Sequence, residues 1–265
     1  MSYRGPVIDV HTHVTQITLP PSRPQGAEAL RGLCEEANVT RTGVLVMAHH
    51  DEPNETRQLN DDVIALARDS NGLFYPVPSV HPADSWAGEE LERLAGLGVR
   101  WLKLHPNTQG FDVADPAVAT LISQCATLGL TVLFDAYSPM DPAQPGKFMQ
   151  LALANPTCRI VLAHMFGPNF AEAMAYAVLS HHYPDMRPHV YFDGSAVVPM
   201  VAGGPFAEHL MFVIRRVGVE WFLFGSDYPF HTSPQALDVF RSLGLNEGEE
   251  RAILHDNAAA LLPSH

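Results

Sequence analysis

The chain has 265 residues, of which 46% are hydrophobic and 17% are charged, and its formal net charge at pH 7 is −13. This length suits one large domain, and the hydrophobic fraction argues against a disordered chain. The acidic balance argues against nucleic-acid binding, because an excess of carboxylates repels a phosphate backbone.

The amino terminus and the cysteines bear on the location of the protein. The opening residues include no apolar signal region, and no apolar run is long enough to cross a bilayer. Three cysteines are present, Cys34, Cys125 and Cys158, and none forms a CxxC pair. We expect buried free thiols, which fit a reducing compartment. These features predict a cytoplasmic protein that does not bind a membrane.

Eight short apolar or β-branched runs alternate with segments of helical periodicity. Most of these runs are apolar on both faces, as expected for parallel strands that are buried on both sides. The predicted strands are residues 7–13, 43–47, 74–80, 99–105, 131–136, 159–164, 189–193 and 221–226. The alternation predicts an α/β protein, a (β/α)8 TIM barrel that forms a single domain over residues 1–265. A doubly wound open sheet is the alternative, but it favours a glycine-rich turn after its first strand, where this chain has His-Thr-His.

Several helices have recognisable ends. Asp115 before Pro116 is an N-cap signal, and Gly129 is a stop signal, so a helix is predicted over 116–128. Asn246 with Glu249 resembles a capping box. Further helices are predicted at residues 27–38, 56–69, 85–97, 146–155, 171–180 and 206–217.

Two further signals mark a helix start and two loops. Ser233 before Pro234 resembles the N-cap and first turn of another helix. The proline-rich stretches 19–24 and 139–145 are predicted as the loops after strands one and five.

Many histidines gather at one end of the predicted strands. Of the 14 histidines, eight lie at or just past the carboxyl end of a strand: His11, His13, His49, His50, His81, His105, His164 and His231. In a parallel barrel these ends open on one face, so we expect the side chains to converge there. Convergent imidazoles bind transition metals and transfer protons near neutral pH.

His11 and His13 form an HxH pair at the end of the first strand. Alternate strand residues point to the same side, so both rings can face the barrel mouth and share one metal. Asp227 ends the eighth strand, which neighbours the first strand in a closed barrel. We expect Asp227 to bind the metal and to accept a proton from water. The alternative for Asp227 is a turn or helix-cap aspartate.

Further polar residues end the other strands. His164 closes the sixth strand and is a candidate ligand, general base or substrate donor. Lys103 and His105 share one side of the fourth strand, and Lys103 could fix a carboxylate, bridge two metals if carbamylated, or form a structural ion pair. Asp193, which closes the seventh strand, could orient a histidine or bind substrate. We expect His105, Tyr137 and Asp193 to contact the substrate.

Five motifs carry a resemblance to a known family. They are Ile-Asp-Val-His-Thr-His at 8–13, Lys-Leu-His-Pro at 103–106, Val-Leu-Ala-His at 161–164, Phe-Gly-Ser-Asp-Tyr-Pro at 224–229 and Asp-Asn-Ala-Ala at 256–259. Together they resemble the amidohydrolase superfamily, in the branch that includes amino-carboxymuconate-semialdehyde decarboxylase and pyrone-dicarboxylate lactonase. The resemblance extends from the first strand to the last helix.

The resemblance implies one divalent metal ion, usually zinc. In the family the ligands come from the strand-one HxH, a strand-five histidine and the strand-eight aspartate, and the strand-six histidine activates water or binds substrate. Carried over, the ligands are His11, His13 and Asp227, and His164 is the catalytic histidine.

One position departs from the family pattern. The fifth strand ends in Asp135, where the family has histidine. A carboxylate can still bind the metal, and its harder oxygen favours manganese or magnesium over zinc. Alternatively, His164 becomes a ligand in its place, or the metal site is lost.

These residues and the resemblance predict a metal-dependent hydrolase that attacks a lactone, amide or related carbonyl through a metal-activated water. The substrate is expected to be a small, carboxylated molecule. Asp227 would move the proton, while His164 and Lys103 would stabilise the oxyanion. A metal-dependent decarboxylase on the same scaffold is one alternative, and a metal-free binding barrel without catalysis is another. Barrels of this kind often pair through their outer helices, so a homodimer stays open beside a monomer.

Overall fold

The strands form a closed ring around an apolar interior. The computed structural model describes residues 2–17 and 25–263, so the loop predicted at 19–24 lies outside the described residues. The strands are β1 (Val7–Thr12), β2 (Val39–Leu45), β3 (Phe74–Val77), β4 (Trp101–Leu104), β5 (Thr131–Asp135), β6 (Arg159–Ala163), β7 (Val190–Asp193) and β8 (Phe222–Leu223). Every ladder between them is parallel.

Two isolated bridges close the ring. The ladders give a three-stranded sheet, β1-β2-β3, and a five-stranded sheet, β4-β5-β6-β7-β8. Ser79, just past β3, bridges Lys103 of β4 in parallel, and Thr12 of β1 bridges Tyr228, just past β8. The first and last strands are therefore neighbours. The predicted TIM barrel is confirmed, and the open sheet is excluded.

The strand boundaries differ from the prediction by a residue or more at most strands; β4 begins at Trp101 rather than at residue 99, and β8 covers only Phe222–Leu223 of the predicted 221–226. β2 begins at Val39 rather than at residue 43, because its first part alternates buried and exposed positions and Val39 pairs with Val7. β3 ends at Val77 rather than at residue 80. Pro78 follows and has no N–H to continue a ladder.

Helices pack around the ring. They are α1 (Ala27–Glu36), α2 (Pro53–Arg68), α3 (Ala87–Gly96), α4 (Pro106–Gln109), α5 (Pro116–Leu128), α6 (Gln144–Ala154), α7 (Met174–His182), α8 (Val197–Val201), α9 (Phe206–Val217), α10 (Ser233–Arg241), α11 (Glu247–Arg251) and α12 (Asn257–Ala259). Segments of 3-10 or π type lie at His164–Ala173, Pro184–Met186, Val219–Trp221 and Ala252–Asp256. In the described ranges, no helix has both the length and the apolar character that crossing a bilayer requires.

The predicted helix ends are largely confirmed. Asp115 caps α5 by accepting from the Ala117 N–H, and Asn246 forms a capping box with Glu249 at α11. The predicted start of α10 is wrong by one residue. Its N-cap is Thr232, which forms a capping box with Gln235.

An inner and an outer apolar cluster share the core. The outer one fills the space between strands and helices, and it contains Cys34, Cys125 and Cys158, whose predicted burial is confirmed. The inner one fills the barrel, and Leu261 and Leu262 from the end of the chain contribute to it. Because the barrel is filled, chemistry is confined to its ends.

A buried polar network ties two helices to the junction of β3 and β4. Asn60 of α2 donates from Nδ2 to the Ser79 carbonyl and to Glu90 Oε1 of α3, at 3.0 Å each, and its Oδ1 accepts from the Ser79 N–H at 2.9 Å. Arg93 donates to both Glu90 oxygens, at 2.7 and 2.8 Å. Ser79 is the residue beside Lys103, so this network supports the strand that carries the lysine.

The charge on Glu90 should contribute to stability. Burial raises the pKa of Glu90, but hydrogen bonds from Arg93 and Asn60 outweigh it and hold the pKa below its ordinary value of 4.5. The contribution of this charge to the free energy of unfolding is therefore fully present above pH 4.5. It is lost as the pH falls through the lower pKa that Glu90 has in the folded protein. We expect Glu90→Gln to reduce the free energy of unfolding by about 2 kcal/mol at pH 7.

Urea denaturation of wild type and Glu90→Gln between pH 3 and pH 8 measures this effect. The difference between the two proteins should shrink as the pH falls below about 4.5. Glu89→Gln, which changes an exposed carboxylate one residue earlier, is the matched control. A difference between wild type and Glu90→Gln that does not change with pH would contradict the assignment.

Candidate active site

A polar layer lies on the inner apolar cluster at the carboxyl ends of the strands. Period-two alternation places Lys103 two residues above Trp101 on β4, and Asp135 two residues above Leu133 on β5. Trp101 and Leu133 belong to the inner apolar cluster, whereas Lys103 and Asp135 are buried charged groups. The strands therefore change from apolar to charged within one repeat, at the predicted face of the barrel.

His11 is held by a buried carboxylate beneath it. Its Nδ1 lies 3.0 Å from Asp193 Oδ2, and Asp193 is 0% exposed. Burial raises the pKa of Asp193, but the charge and hydrogen bond of His11 outweigh it and lower the pKa overall. An ionised carboxylate only accepts, so Nδ1 carries the proton and Nε2 presents a lone pair. Asp193 thus orients a histidine, one of the two roles predicted for it.

Three atoms that could bind a metal lie close together: His11 Nε2, His13 Nε2 and Asp227 Oδ1. His11 Nε2 lies 3.2 Å from His13 Nε2, and Asp227 Oδ1 lies 3.6 Å from His11 Nε2 and 3.8 Å from His13 Nε2. Burial, followed by neighbouring positive charge, lowers the pKa of His11 and lowers that of His13 well below its ordinary value. Both rings are therefore neutral at pH 7, which is the form that binds metals.

These three residues fit a divalent cation. Ligand atoms about 2.0–2.2 Å from a metal lie at most about 4.4 Å apart, and all three separations satisfy this limit. His13 Nδ1 is buried with no hydrogen-bond partner in residues 2–17 and 25–263. The hydrogen bond from His11 to Asp193 is the outer support typical of a metal-ligating histidine. Lys103 Nζ, 3.4 Å from His11 Nε2, and the His164 ring, whose centroid lies 5.1 Å from that of His11, are unfavourable neighbours for a cation.

Two further groups in the described part of the chain bring His and Asp ligand atoms within 4.8 Å of one another. One contains His11, His164 and Asp193. The other contains His50, His81 and Asp84 and lies outside the cavity described below.

Asp135 contacts two histidines. Its Oδ2 lies 3.1 Å from His164 Nε2 and 3.4 Å from His105 Nε2. Burial raises the pKa of Asp135, but the hydrogen bond and charge of His164 outweigh it, so the pKa is below its ordinary value. Asp135 belongs to none of the three groups of described residues whose ligand atoms are close enough together to hold a metal. In this arrangement its carboxylate holds the two histidines in place.

His164 donates from both nitrogens. Its Nε2 faces Asp135, and its Nδ1 lies 3.2 Å from the Ser195 carbonyl, which can only accept. Burial lowers the pKa of His164, but Asp135, Asp227 and Asp193 raise it overall to about 9. An imidazolium has no lone pair for a metal, so a ligand role for His164 requires the release of one of these contacts.

Ser195 links the two histidine assemblies, and the sequence analysis did not identify it. Its hydroxyl donates to Asp193 in a short hydrogen bond and lies 3.0 Å from His164 Nδ1. It also lies 3.3 Å from His11 Nδ1. The Asp-Gly-Ser sequence at the end of β7 was the available signal, because the serine is two residues past a candidate aspartate.

Unusual backbone conformations position His164 and Asp227. His164, Met165, Phe166 and Gly167 have φ angles of 62°, 45°, 64° and 56°, and Asp227 has a φ of 58°. The left-handed region costs a residue with a side chain about 1–2 kcal/mol. Met165 and Phe166 are at most 1% exposed, so their burial holds the turn in this conformation. The turn aims His164 into the barrel mouth.

A cavity of about 240 Å³ opens on this layer. Its lining residues are His11, His13, Ile17, Met47, Lys103, His105, Thr108, Asp135, His164, Asp227 and Phe230. Of the nine site residues predicted from the sequence, seven are in this set, and Tyr137 and Asp193 are not. Tyr137 instead lies against Gly167, and Asp193 lies beneath His11.

Four of the eight strand-end histidines do not line the cavity. His50 and His81 pack together, with ring centroids 4.4 Å apart, and His50 Nδ1 lies 2.6 Å from Asp84. His49 and His231 also lie outside the lining set. The expected convergence of eight histidines is therefore met by His11, His13, His105 and His164.

The sequence matches a family model. The family model described as amidohydrolase matches residues 8–264. The chain belongs to the amidohydrolase family. The resemblance predicted from the five motifs is therefore confirmed. No curated protein matches the sequence.

Solved structures of several other proteins share the fold. A 2,6-dihydroxybenzoate decarboxylase complexed with 2,6-dihydroxybenzoate has a TM-score of 0.74 at 15% identity, covering 97% of this chain and 98% of that one. A dihydroxybenzoic acid decarboxylase from Polaromonas, with bound manganese and 2-nitroresorcinol, has a TM-score of 0.71 at 17% identity, with 97% of each chain covered. A probable 2-pyrone-4,6-dicarboxylic acid hydrolase from Acinetobacter baumannii, with citric acid bound, has a TM-score of 0.67 at 16% identity, covering 96% and 98%.

Gly167 should be intolerant of any side chain. A Cβ there would lie 2.9 Å from the Tyr137 ring, at a φ of +56°. We expect Gly167→Ala to lower the free energy of unfolding by about 1–3 kcal/mol and to displace His164. Chemical denaturation measures the stability. Gly146→Ala is the matched control, because its Cβ would meet nothing within 4 Å and alanine favours the helix α6. Equal stability of the two variants would contradict the role of the turn.

Proposed function

We propose that this amidohydrolase is a metal-dependent hydrolase of a small, carboxylated substrate, with a lactone, amide or related carbonyl as the reacting group. The meeting of His11, His13 and Asp227 supports the proposal most strongly, because two neutral imidazoles and a carboxylate form a donor set for a divalent cation. Zinc and manganese both suit these ligands. The bound manganese of the Polaromonas decarboxylase supports the second.

A divalent cation bound here would polarise a substrate carbonyl and lower the pKa of water. Asp227 is proposed as the proton acceptor. Its Oδ1 lies toward the two histidines, and its carboxylate reaches the lining of the cavity. After attack on the carbonyl, Asp227 would return the proton to the leaving group. His11 and His13 would stay neutral and keep the ligand geometry, with Asp193 fixing the ring of His11.

Two basic side chains favour a carboxylated substrate. Lys103 and His164 both line the cavity, on the side of Asp135. They would pair with a substrate carboxylate and stabilise the negative charge that develops on the attacked oxygen. His105 lines the same cavity and is proposed as a further substrate contact. A cavity of about 240 Å³ limits the substrate to a small molecule. Tyr137 was predicted to contact the substrate, but it does not line the cavity and lies against Gly167. It would contact a substrate only if that substrate extended past Gly167.

Metal content tests the ligand assignment. We expect about one equivalent of zinc or manganese in protein purified without added metal, and loss of that metal in a His11→Ala, His13→Ala double variant. Inductively coupled plasma mass spectrometry gives the measurement. His181→Ala, His182→Ala is the matched control, because both residues are exposed at the end of α7. Fully active wild-type protein without metal would refute the proposal.

Metal analysis of an Asp135→Asn variant tests whether Asp135 is a fourth ligand. Asp135 was predicted as a ligand, but its carboxylate lies against His164 and His105. We propose that the cation is held without it, so that the Asn variant retains the metal. Loss of metal from this variant would restore Asp135 to the ligand set.

Two named compounds separate hydrolysis from decarboxylation. The solved neighbours supply 2-pyrone-4,6-dicarboxylate and 2,6-dihydroxybenzoate as probes, and a panel of simple lactones and amides extends the first. We expect ring opening of a carboxylated lactone without release of carbon dioxide. Asp227→Asn should lower kcat at least about 100-fold, because the proton acceptor is removed. Absorbance of the lactone and trapped carbon dioxide are the two readouts.

A metal-dependent decarboxylase is the second candidate. It is supported by the decarboxylases among the similar structures and by two basic side chains, Lys103 and His164, which could hold the carboxylate that leaves. Release of carbon dioxide from the dihydroxybenzoate probe, with no lactone opening, would favour it over the hydrolase.

A further inference from the structure

One side of the active-site cavity is apolar. Its apolar lining residues are Ile17, Met47 and Phe230, which follow β1, β2 and β8. These three strands are consecutive in the ring, because β1 pairs with β2 and Thr12 of β1 bridges Tyr228 just past β8. The apolar residues therefore share one side of the barrel mouth.

The basic side chains of the cavity lie across the mouth from this apolar side. Lys103 belongs to β4 and His164 follows β6, with Asp135 of β5 between them. In a ring of eight strands, β5 lies opposite β1. A substrate whose carboxylate is paired with Lys103 and His164 would thus direct the remainder of its body toward Ile17 and Met47.

The Gln16 side chain holds the backbone of Met47. Its Nε2 donates to the Met47 carbonyl at 2.8 Å, and its Oε1 accepts from the Met47 N–H at 2.6 Å. A side-chain amide has the same kinds of donor and acceptor as a peptide group, so it can take the place of a neighbouring strand. The ladder between β1 and β2 ends at Thr12 and Val44. Gln16 therefore continues the contact between these two segments past the end of the ladder.

This contact fixes two residues of the apolar side. Both polar groups of the Met47 backbone are satisfied by one side chain, and Ile17 is the residue after Gln16. A methionine side chain has several rotatable bonds and adapts to its surroundings, so its place in a cavity wall depends on how firmly its backbone is held. Ile17 and Met47 are both half-buried and line the cavity, so a ligand can reach them.

We propose that Gln16 is a positioning residue that determines substrate specificity. It holds Ile17 and Met47 as a wall that receives the apolar part of a carboxylated substrate, and the removal of this apolar surface from water contributes affinity. Gln16 does not line the cavity, so it acts on the substrate through these two neighbours. This role rests on the proposed function, because that function supplies the carboxylate that Lys103 and His164 would hold.

Acetate and pivalate are the probes, because both carry one carboxylate and pivalate adds a compact group of methyls. Each is titrated into the full chain as purified, and ligand-observed NMR in one buffer gives the dissociation constants. We expect the wild type to bind pivalate at least about 10-fold more tightly, because one fully buried methyl group contributes about fourfold. Neither probe has a lactone or amide bond, so failure of the hydrolase proposal and failure of the specificity proposal give different results.

Gln16→Met tests the two hydrogen bonds, because methionine keeps the length of the side chain and removes its amide. We expect the preference for pivalate over acetate to fall at least about 3-fold, while the affinity for acetate and the metal content stay unchanged. Gln58→Met is the matched control, since Gln58 is an exposed glutamine of α2 whose amide donates to Asp62, and it should keep the wild-type preference. A Gln16→Met protein with the wild-type preference, or with both probes weakened equally, would overturn the proposal.

Met47→Ala tests the route of the effect and leaves Gln16 in place. It should lower the preference for pivalate by itself, and adding Gln16→Met should then cause little further loss, because the effects of contacting residues are not additive. In Gln16→Met alone, the Met47 amide hydrogen should exchange at least about 10-fold faster than in the wild type, measured by NMR of protein labelled with 15N-methionine. The wild-type preference in Met47→Ala, full additivity, or a wild type that does not prefer pivalate would each refute the role of Gln16.

Discussion

The contact between the first and last strands is the constraint on which the site depends. Asp9, at 0% exposure, accepts from the N–H of Ser226 at 3.0 Å, from that of His11 at 3.2 Å and from the Ser233 hydroxyl at 3.3 Å. Burial raises the pKa of Asp9 to about 6, which the hydrogen bonds only partly offset. One carboxylate therefore ties β1, the end of β8 and the start of α10 together. Asp227 lies one residue past Ser226, so this junction brings it to the two histidines.

The histidine pair and the His164 turn are held by different means. His11 and His13 extend a regular strand, and a carboxylate below orients the first ring. His164 lies on a left-handed turn that is unfavourable by itself and is kept in place by buried side chains on either side. Ser195 contacts both assemblies. One hydroxyl therefore lies between the two histidines and contacts both rings.

Much of this arrangement follows from periodicity in the sequence. The barrel, the caps of α5 and α11, and the meeting of His11, His13 and Asp227 were all predictable, because strand alternation and ring closure fix which side chains share a face. The pairing of Asp135 with His164 was not predictable, since it depends on the register between β5 and β6 and on the turn after β6. The start of α10 was misplaced for a related reason. Ser233 has cap chemistry, but its hydroxyl is engaged by Asp9, and Thr232 takes the capping role.

The strand-end pattern also predicted that more histidines would meet at the barrel mouth than do so in the structure. His50 and His81 follow neighbouring strands, as the pattern required, yet their loops turn them toward Asp84 and away from the barrel axis. A strand end fixes the position of a backbone, while the loop beyond it decides where the side chain goes. The direction of a side chain that continues the strand alternation, such as that of Lys103 or Asp135, can therefore be predicted from the sequence. The direction of a side chain two or three residues further along cannot.

The apolar filling of the barrel has an electrostatic consequence. Lys103 is 1% exposed, and its pKa is lowered by burial against the opposing charges of Asp135, Asp193 and Asp227. Hydrocarbon lies below these groups, so solvent can screen them only from the open side. In such a medium of low permittivity, charges act on each other over longer distances than they do at a surface. An anion that enters from above and displaces the remaining solvent would strengthen every one of these attractions as it binds.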